Sequence, residues 1–324
     1  MRAARTVDAA APWWRAYAPL LPLLHATDVR TALDEAASAG RLRSGGDRPL
    51  RFVAADAAGA TPYEAHIHAT GEVPTRDNLH DLFNALMWLA LPHFKRTLNA
   101  LQARALADAA RCGTDGATDG AANGVSDGVT NCTSDGVTNC TSDGVTNCVT
   151  ATATGRGATR DAATLLDENG LLLACGDAEV AAALARHDWH AAFVTRRAAW
   201  GTRVQALVCG HALLEKLQHP YKAVTAHALV LDCAAPTDPP GLCAALDAAA
   251  ARRLGAAPPR PRDLQPLPVL GIPGWWADNE QADFYADRAV FRPARGASGV
   301  RRAGAARTGD SVATPIRTTA ETHV

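Results

Sequence analysis

The sequence predicts an α+β protein, a mostly helical single domain whose helices pack on a small sheet with short strands and hairpins, and three observations predict it. Apolar residues recur at helical spacing in separate stretches at 28–39, 79–91, 94–110 and 242–254. Between them lie short alternating or continuous apolar runs bounded by Gly, Pro and Asn, at 50–55, 63–69, 163–175 and 224–231, which read as strands. With 324 residues, 48% of them hydrophobic, the chain can bury a substantial core.

The strongest helix is 78–91. Asn78 and Asp81 are spaced as an N-cap and its N3 acid, and Pro92, which has no N–H to donate, ends the run. Leu79, Leu82, Phe83, Leu86, Leu89 and Ala90 share one broad face, and Met87, Trp88 and Leu91 widen it, so the helix is expected to be covered on most sides. His80, Asp81 and Asn84 interrupt that apolar surface, and His80 and Asn84 lie one turn apart. Two readings are open: the polar groups cap the helix and bond to backbone, or they form a pocket wall in which His80 is a base or metal ligand oriented by Asn84.

Before this helix, 12–25 is an aromatic opening segment with Trp13, Trp14 and Tyr17, and 28–39 is a helix closed by Gly40. Residues 50–55 and 63–69 are read as strands. In the second, Glu64, His66 and His68 fall on one side, which is either an ordinary polar face or an i, i+2 histidine half-site for a metal.

Past the helix at 94–110 the composition changes. Residues 112–157 are Gly, Thr, Asp, Asn and Ala, with the octapeptide SDGVTNC(T/V) three times over from 126 to 149, and are read as a low-complexity insertion dividing one domain into 1–111 and 158–293. A tail from 294 to 324 lacks apolar periodicity.

In the second half, ATLLDENGLLLAC at 163–175 reads as a hairpin turning at Asp167, Glu168, Asn169 and Gly170. Short helices are expected at 179–187 and from Trp189. A longer one over 200–217 would put His211 and Glu215 on the same stripe as Val204 and Val208, with Gly210 marking close approach of another backbone. A strand at 224–231 follows. The aromatic-rich segment with Trp275, Trp276, Phe284, Tyr285 and Phe291 is expected to wrap back over the core.

Composition narrows the functions. Net charge is −1, with 32 basic residues balanced by 33 acidic ones, so no electrostatic footprint for nucleic acid or an anionic membrane stands out. No apolar run reaches the ~18 residues of a membrane span. Asp8, Arg15 and several prolines break up any secretory h-region, which places the chain in the cytoplasm. The eight cysteines form no C-x-x-C pair, against structural zinc and a disulfide framework.

Several blocks, in order, carry a resemblance: YEAHIHATGEVPTRDNLHDLFNALMWLALP, RDAATLLDENG, Trp189-x-x-x-Phe193 with GHALLEKLQHPY, and LPVLGIPGWWADN with FYADRAVFRP. Over most of 50–293 the chain resembles the proteobacterial family known as domain of unknown function 3025. The resemblance implies that the helices and the 163–175 segment belong to one domain, that the repeat insertion lies outside the shared role, and no activity.

Two functions follow. In the first, a hydrolase or metal-dependent enzyme, His80, Asp81, Asn84, Asp167, Glu168, His211 and Glu215 converge on one pocket. None of the familiar nucleophile, zinc, phosphate or dinucleotide motifs is present, so the pattern names neither a cofactor nor a metal. In the second, a non-catalytic binding or assembly protein presents Trp13, Trp14, Trp275 and Trp276 as a contact patch for a small molecule or protein.

Overall fold

The structure is a computed structural model that describes residues 6–115 and 154–294. It opens with 3-10 turns over Pro12–His25, where Pro19 and Pro22 preclude a regular α-helix and Trp14, Tyr17 and Leu24 are fully buried. Helix α1 (Val29–Ala39) starts at Asp28, whose carboxylate accepts from Thr31 N at 3.2 Å. Strand β1 (Arg51–Val53) and strand β2 (Glu72–Pro74) pair in parallel, with helix α2 (Tyr63–Thr70) crossing between them.

Helix α3 (Leu79–Ala90) has the expected cap, Asn78 Oδ1 accepting from Asp81 N at 2.8 Å, and residues Leu82 to Trp88 are buried without a break. Pro92 ends it and opens helix α4 (Pro92–Asp115), which packs along helix α5 (Thr154–Asn169). Both helices run into the span whose composition suggests an insertion; the octapeptide repeats lie outside the described residues, as does the tail.

Strand β3 (Gly170–Cys175) follows α5 without a loop. Then come helix α6 (Ala178–Ala185), a single π turn at Ala191–Thr195, strand β4 (Val204–Val208), helix α7 (His211–Lys216), strand β5 (Thr225–Leu231), helix α8 (Pro239–Ala256) and strand β6 (Gln265–Pro268). The sheet order is β4-β3-β5-β6, antiparallel at its two outer pairs and parallel between β3 and β5. All six residues of β3 are buried, as befits a central strand covered on both faces. The aromatic C-terminal segment does wrap over the core: Phe284, Tyr285 and Phe291 are buried together with Phe193. The architecture is the α+β one that the sequence predicts.

Three local expectations are corrected. Residues 63–69 form α2 rather than a strand: the buried residues are the adjacent His66 and Ile67, a pattern no period-2 strand can make. The helix stops at Gly71, whose φ of 81° closes it in the left-handed conformation. His66 is therefore turned away from Glu64 and His68, and its Nε2 faces Glu72 at 3.4 Å instead of sharing a metal with His68.

The 163–175 segment is the end of α5 running straight into β3, not a hairpin. Ala162, Ala163 and Leu166 are buried at helical spacing, and Gly170 sits where a Cβ would lie 2.1 Å from the Leu166 carbonyl oxygen. The expected helix over 200–217 is strand β4 followed by α7, because Val204–Val208 pairs with β3 and only the residues after Gly210 are helical. The shared stripe with Val204 and Val208 is thereby lost, whereas the close approach at Gly210 holds: a Cβ there would meet Gly170 N at 2.3 Å and Glu168 O at 2.5 Å.

Candidate functional site

The cleft at the junction of α2, α3, α5 and α7 gathers four of the buried polar side chains of the described residues, Asn84, Gln102, Asp167 and His211. Its volume is about 530 Å³, and its walls include Tyr63, Glu64, Arg76, His80, Asp81, Asn84, Gln102, Asp167, Glu168 and His211. The close contact of Gly210 with the Glu168–Gly170 backbone puts the start of α7 against the end of α5, and α3 packs on α7. Three helix ends thus deliver His80, Glu168 and His211 to one point.

At that point His80 Nε2 and His211 Nε2 lie 3.1 Å apart, with their rings at 81° to each other, and Glu168 Oε2 lies 3.5 Å from His211 Nε2. One ligand atom from each of the three fits within 4.8 Å of the others. Two imidazole nitrogens on one tetrahedral zinc, at ~2.05 Å each, would be about 3.3 Å apart. Glu215 stands behind His80 and accepts from Nδ1 at 2.9 Å, which leaves the Nε2 lone pair facing His211.

His211 is 4% exposed, and its Nδ1 is buried with no hydrogen-bond partner. Burial drives its pKa down to about 4, against the opposing pull of the Asp167 carboxylate, so the ring is neutral at pH 7 with a lone pair to give. Glu168 is raised, first by partial burial and then by the Asp167 charge.

Behind the cleft wall runs a buried polar chain. Lys95, 2% exposed, donates to Asp167 Oδ1 and, at 2.8 Å, to Asn84 Oδ1; its ammonium also sits 5.3 Å from the Trp88 ring. Asn84 in turn donates to the Tyr63 hydroxyl at 2.9 Å. Burial by itself would raise the Asp167 carboxyl, but the Lys95 charge and hydrogen bond hold it below its ordinary value. Tyr63 is partly exposed as a whole, but loss of water around its phenol group and the neighbouring acids push that phenol up, so it stays a neutral hydroxyl.

Of the seven residues singled out from sequence, six line this cleft and the seventh, Glu215, supports it from behind. They divide by position. His80, Glu168 and His211 converge; Asn84 and Asp167 are joined through Lys95; Asp81 accepts from Arg76 N at 2.7 Å and lies 3.3 Å from its Nε at the rim. Sequence reasoning missed Tyr63 and Glu64, assigned to a strand, and Lys95, Asn99 and Gln102. A signal for the last three was there: they fall at i, i+4 and i+7, a polar stripe on α4 that is buried in the fold.

Of the expected tryptophan contact patch, only Trp275 and Trp276 keep part of their surface exposed. Trp13 and Trp14 are buried, Trp275 and Trp276 are half-buried against the core, and the large apolar side chains left exposed among the described residues are Tyr63 and Tyr221. Among those residues no helix is long and apolar enough to cross a membrane.

The family model for a protein of unknown function, DUF3025, matches residues 50–124 and 139–295. The chain belongs to that family. Every residue of the cleft lies within the matched segments, whereas 125–138, in the repeat region, falls between them. No curated protein and no solved structure matches the chain.

Proposed function

We propose that this DUF3025 member is a metal-dependent hydrolase whose divalent cation is held by His80 Nε2, His211 Nε2 and a Glu168 oxygen. The observation that carries the reading is the convergence of those three donor atoms within 4.8 Å in the wall of an open cleft. Two imidazoles and one carboxylate are a donor set suited to zinc, and three protein ligands leave a fourth position for water or substrate. The Glu215 carboxylate behind His80 is the kind of second partner that fixes a ligating ring, and the low pKa of His211 removes proton competition at neutral pH.

Charge in the cleft favours an uncharged acyl substrate, an amide or ester, over a phosphate ester. Four acids line the cleft, Glu64, Asp81, Asp167 and Glu168, against Arg76, whose Nε faces Asp81, while Lys95 behind the wall is paired with Asp167, so the wall disfavours a phosphate. The Tyr63 hydroxyl accepts from Asn84 and remains a neutral donor, placed to steady a developing oxyanion. A cytoplasmic home fits the free thiols Cys175, Cys209, Cys233 and Cys243.

The test is metal analysis of purified protein after exhaustive dialysis against zinc-buffered solution. Wild type is expected to keep one equivalent of zinc, while His211→Ala and Glu168→Gln, checked as folded by circular dichroism, lose it. Wild type without metal, or folded variants that retain it, would refute the assignment.

A further inference from the structure

A hydrolytic metal site needs one more part, a group that moves a proton between water and leaving group, and the cleft holds one that stands apart from the three donor atoms. Glu64 lines the same cavity from α2. Its carboxylate is anchored on one side only. Asn99 Nδ2 donates to Oε2 at 2.7 Å and to the Glu64 backbone carbonyl at 2.9 Å, and Asn99 is itself fixed by Gly45 N, which donates to its Oδ1 at 2.9 Å. Oε1 has no partner among the described residues, yet it is not sealed in: it is absent from the buried unpaired atoms, and Glu64 is only half-buried. One oxygen held still and the other open to the cavity is the posture of a general acid–base group.

We propose that Glu64 is the proton-exchanging group of this site, its open oxygen taking a proton from water held at His80, His211 and Glu168 and returning it to the leaving group. The inference rests on the metal-dependent reading. An O–H bond of water breaks and its proton goes to Oε1, while the water oxygen forms a bond to the acyl carbon and the carbonyl π pair moves onto the carbonyl oxygen. That pair then re-forms the carbonyl as the bond to the leaving group breaks, the electron pair of the broken bond stays on the leaving atom, and the proton on Glu64 passes to that atom, which restores the carboxylate. Water is the only co-reactant.

The surroundings tune Glu64 for such exchange. Burial is the first cause that raises its carboxyl, to about 7, and the Asp167 and Glu168 charges of α5 push the same way; Lys95 and Asn99 of α4 pull it down. Glu72 of β2, the other element packed on α2, faces His66. A carboxyl poised near neutrality both accepts and gives up a proton readily.

Selective labelling of glutamate side-chain carboxyls with carbon-13 tests this in the whole protein, with and without one equivalent of zinc and with no substrate needed. The Glu64 signal is identified by its disappearance in Glu64→Gln, and independently in Glu64→Asp should the first variant fold poorly. Its titration midpoint is expected near 7 without zinc and lower by at least about 1 pH unit, a tenfold drop in proton affinity, once zinc is bound, because a nearby cation favours the carboxylate. If zinc binds and the Glu64 midpoint stays put, Glu64 does not face the metal; if the metal-free midpoint is that of an ordinary carboxylate, Glu64 is not poised to exchange protons; either result overturns the proposal while the metal site stands. If wild type takes up no zinc, the metal-dependent reading fails first and this one with it.

Discussion

Replacing Lys95 by Met removes the one cation buried against Asp167 while keeping most of the side chain's volume. In the native protein the ammonium and Asp167 are both nearly inaccessible, and the ammonium also satisfies Asn84 Oδ1. Breaking a buried pair by removing one partner costs about 3–5 kcal/mol, because the remaining charge is left without compensation. Against a total stability on the order of 5–15 kcal/mol, that is a large fraction. The pH dependence follows from sign. Asp167 in the native fold is held below its ordinary value, so its contribution is present above the unfolded-state pKa and fades only as pH falls through the lower, folded one. In Lys95→Met the opposing effect of burial is unmasked and the Asp167 pKa rises, so the variant recovers part of its loss as pH drops and the carboxyl becomes neutral. Urea unfolding at pH 7 and pH 5 measures both. The expected result is a penalty of ~3 kcal/mol or more at pH 7, smaller at pH 5, and largely restored at pH 7 by adding Asp167→Asn. A penalty under ~1 kcal/mol, or one indifferent to pH and to the second substitution, would show that the pair is not buried as described.

Two further outcomes test the frame around the site. Gly210→Ala would set a methyl group 2.3 Å from Gly170 N and 2.5 Å from Glu168 O, with backbone on both sides and nothing flexible to yield; thermal unfolding should show a loss of ~2 kcal/mol or more, and zinc uptake should weaken with it, whereas a neutral substitution would contradict the packing of α7 on α5. Deletion of 126–149 should leave melting temperature and zinc stoichiometry unchanged, since α4 carries the chain 13 residues, about 20 Å, from Gln102 in the cleft wall to Asp115; loss of zinc on deletion would give the repeats a part in the site.

The helix α3 was legible because everything that defines it is local: the Asn78 cap, the apolar face and the stop at Pro92 sit within one stretch of chain. The same holds for α1, α8 and β5. Errors gathered where a short apolar run could satisfy either period and a distant partner decided. Val204–Val208 is a strand because β3 lies beside it, and β3 is a strand because β4 and β5, some thirty and fifty residues on, supply its hydrogen bonds. The Asn-Gly pair at 169–170 has the chemistry of a hairpin turn, yet Gly170 is needed for a different reason, to let the Leu166 carbonyl and the Cys209 sulfur come close.

The candidate site divides in the same way. Its members announced themselves in sequence as ionisable groups set in apolar surroundings, an oddity that composition and periodicity alone reveal: His80, Asp81 and Asn84 in α3, and His211 and Glu215 one turn apart in α7. That His80 reaches His211 across 131 positions, with Glu168 from a third helix and Glu64 from a fourth, is a fact of packing, set by which faces the core buries and where two glycines let backbones touch. Local sequence determined which residues sat oddly among apolar neighbours; only the assembled fold decided which of them would share one cleft, because side-chain neighbours across a hundred residues are chosen by the burial of apolar surface elsewhere.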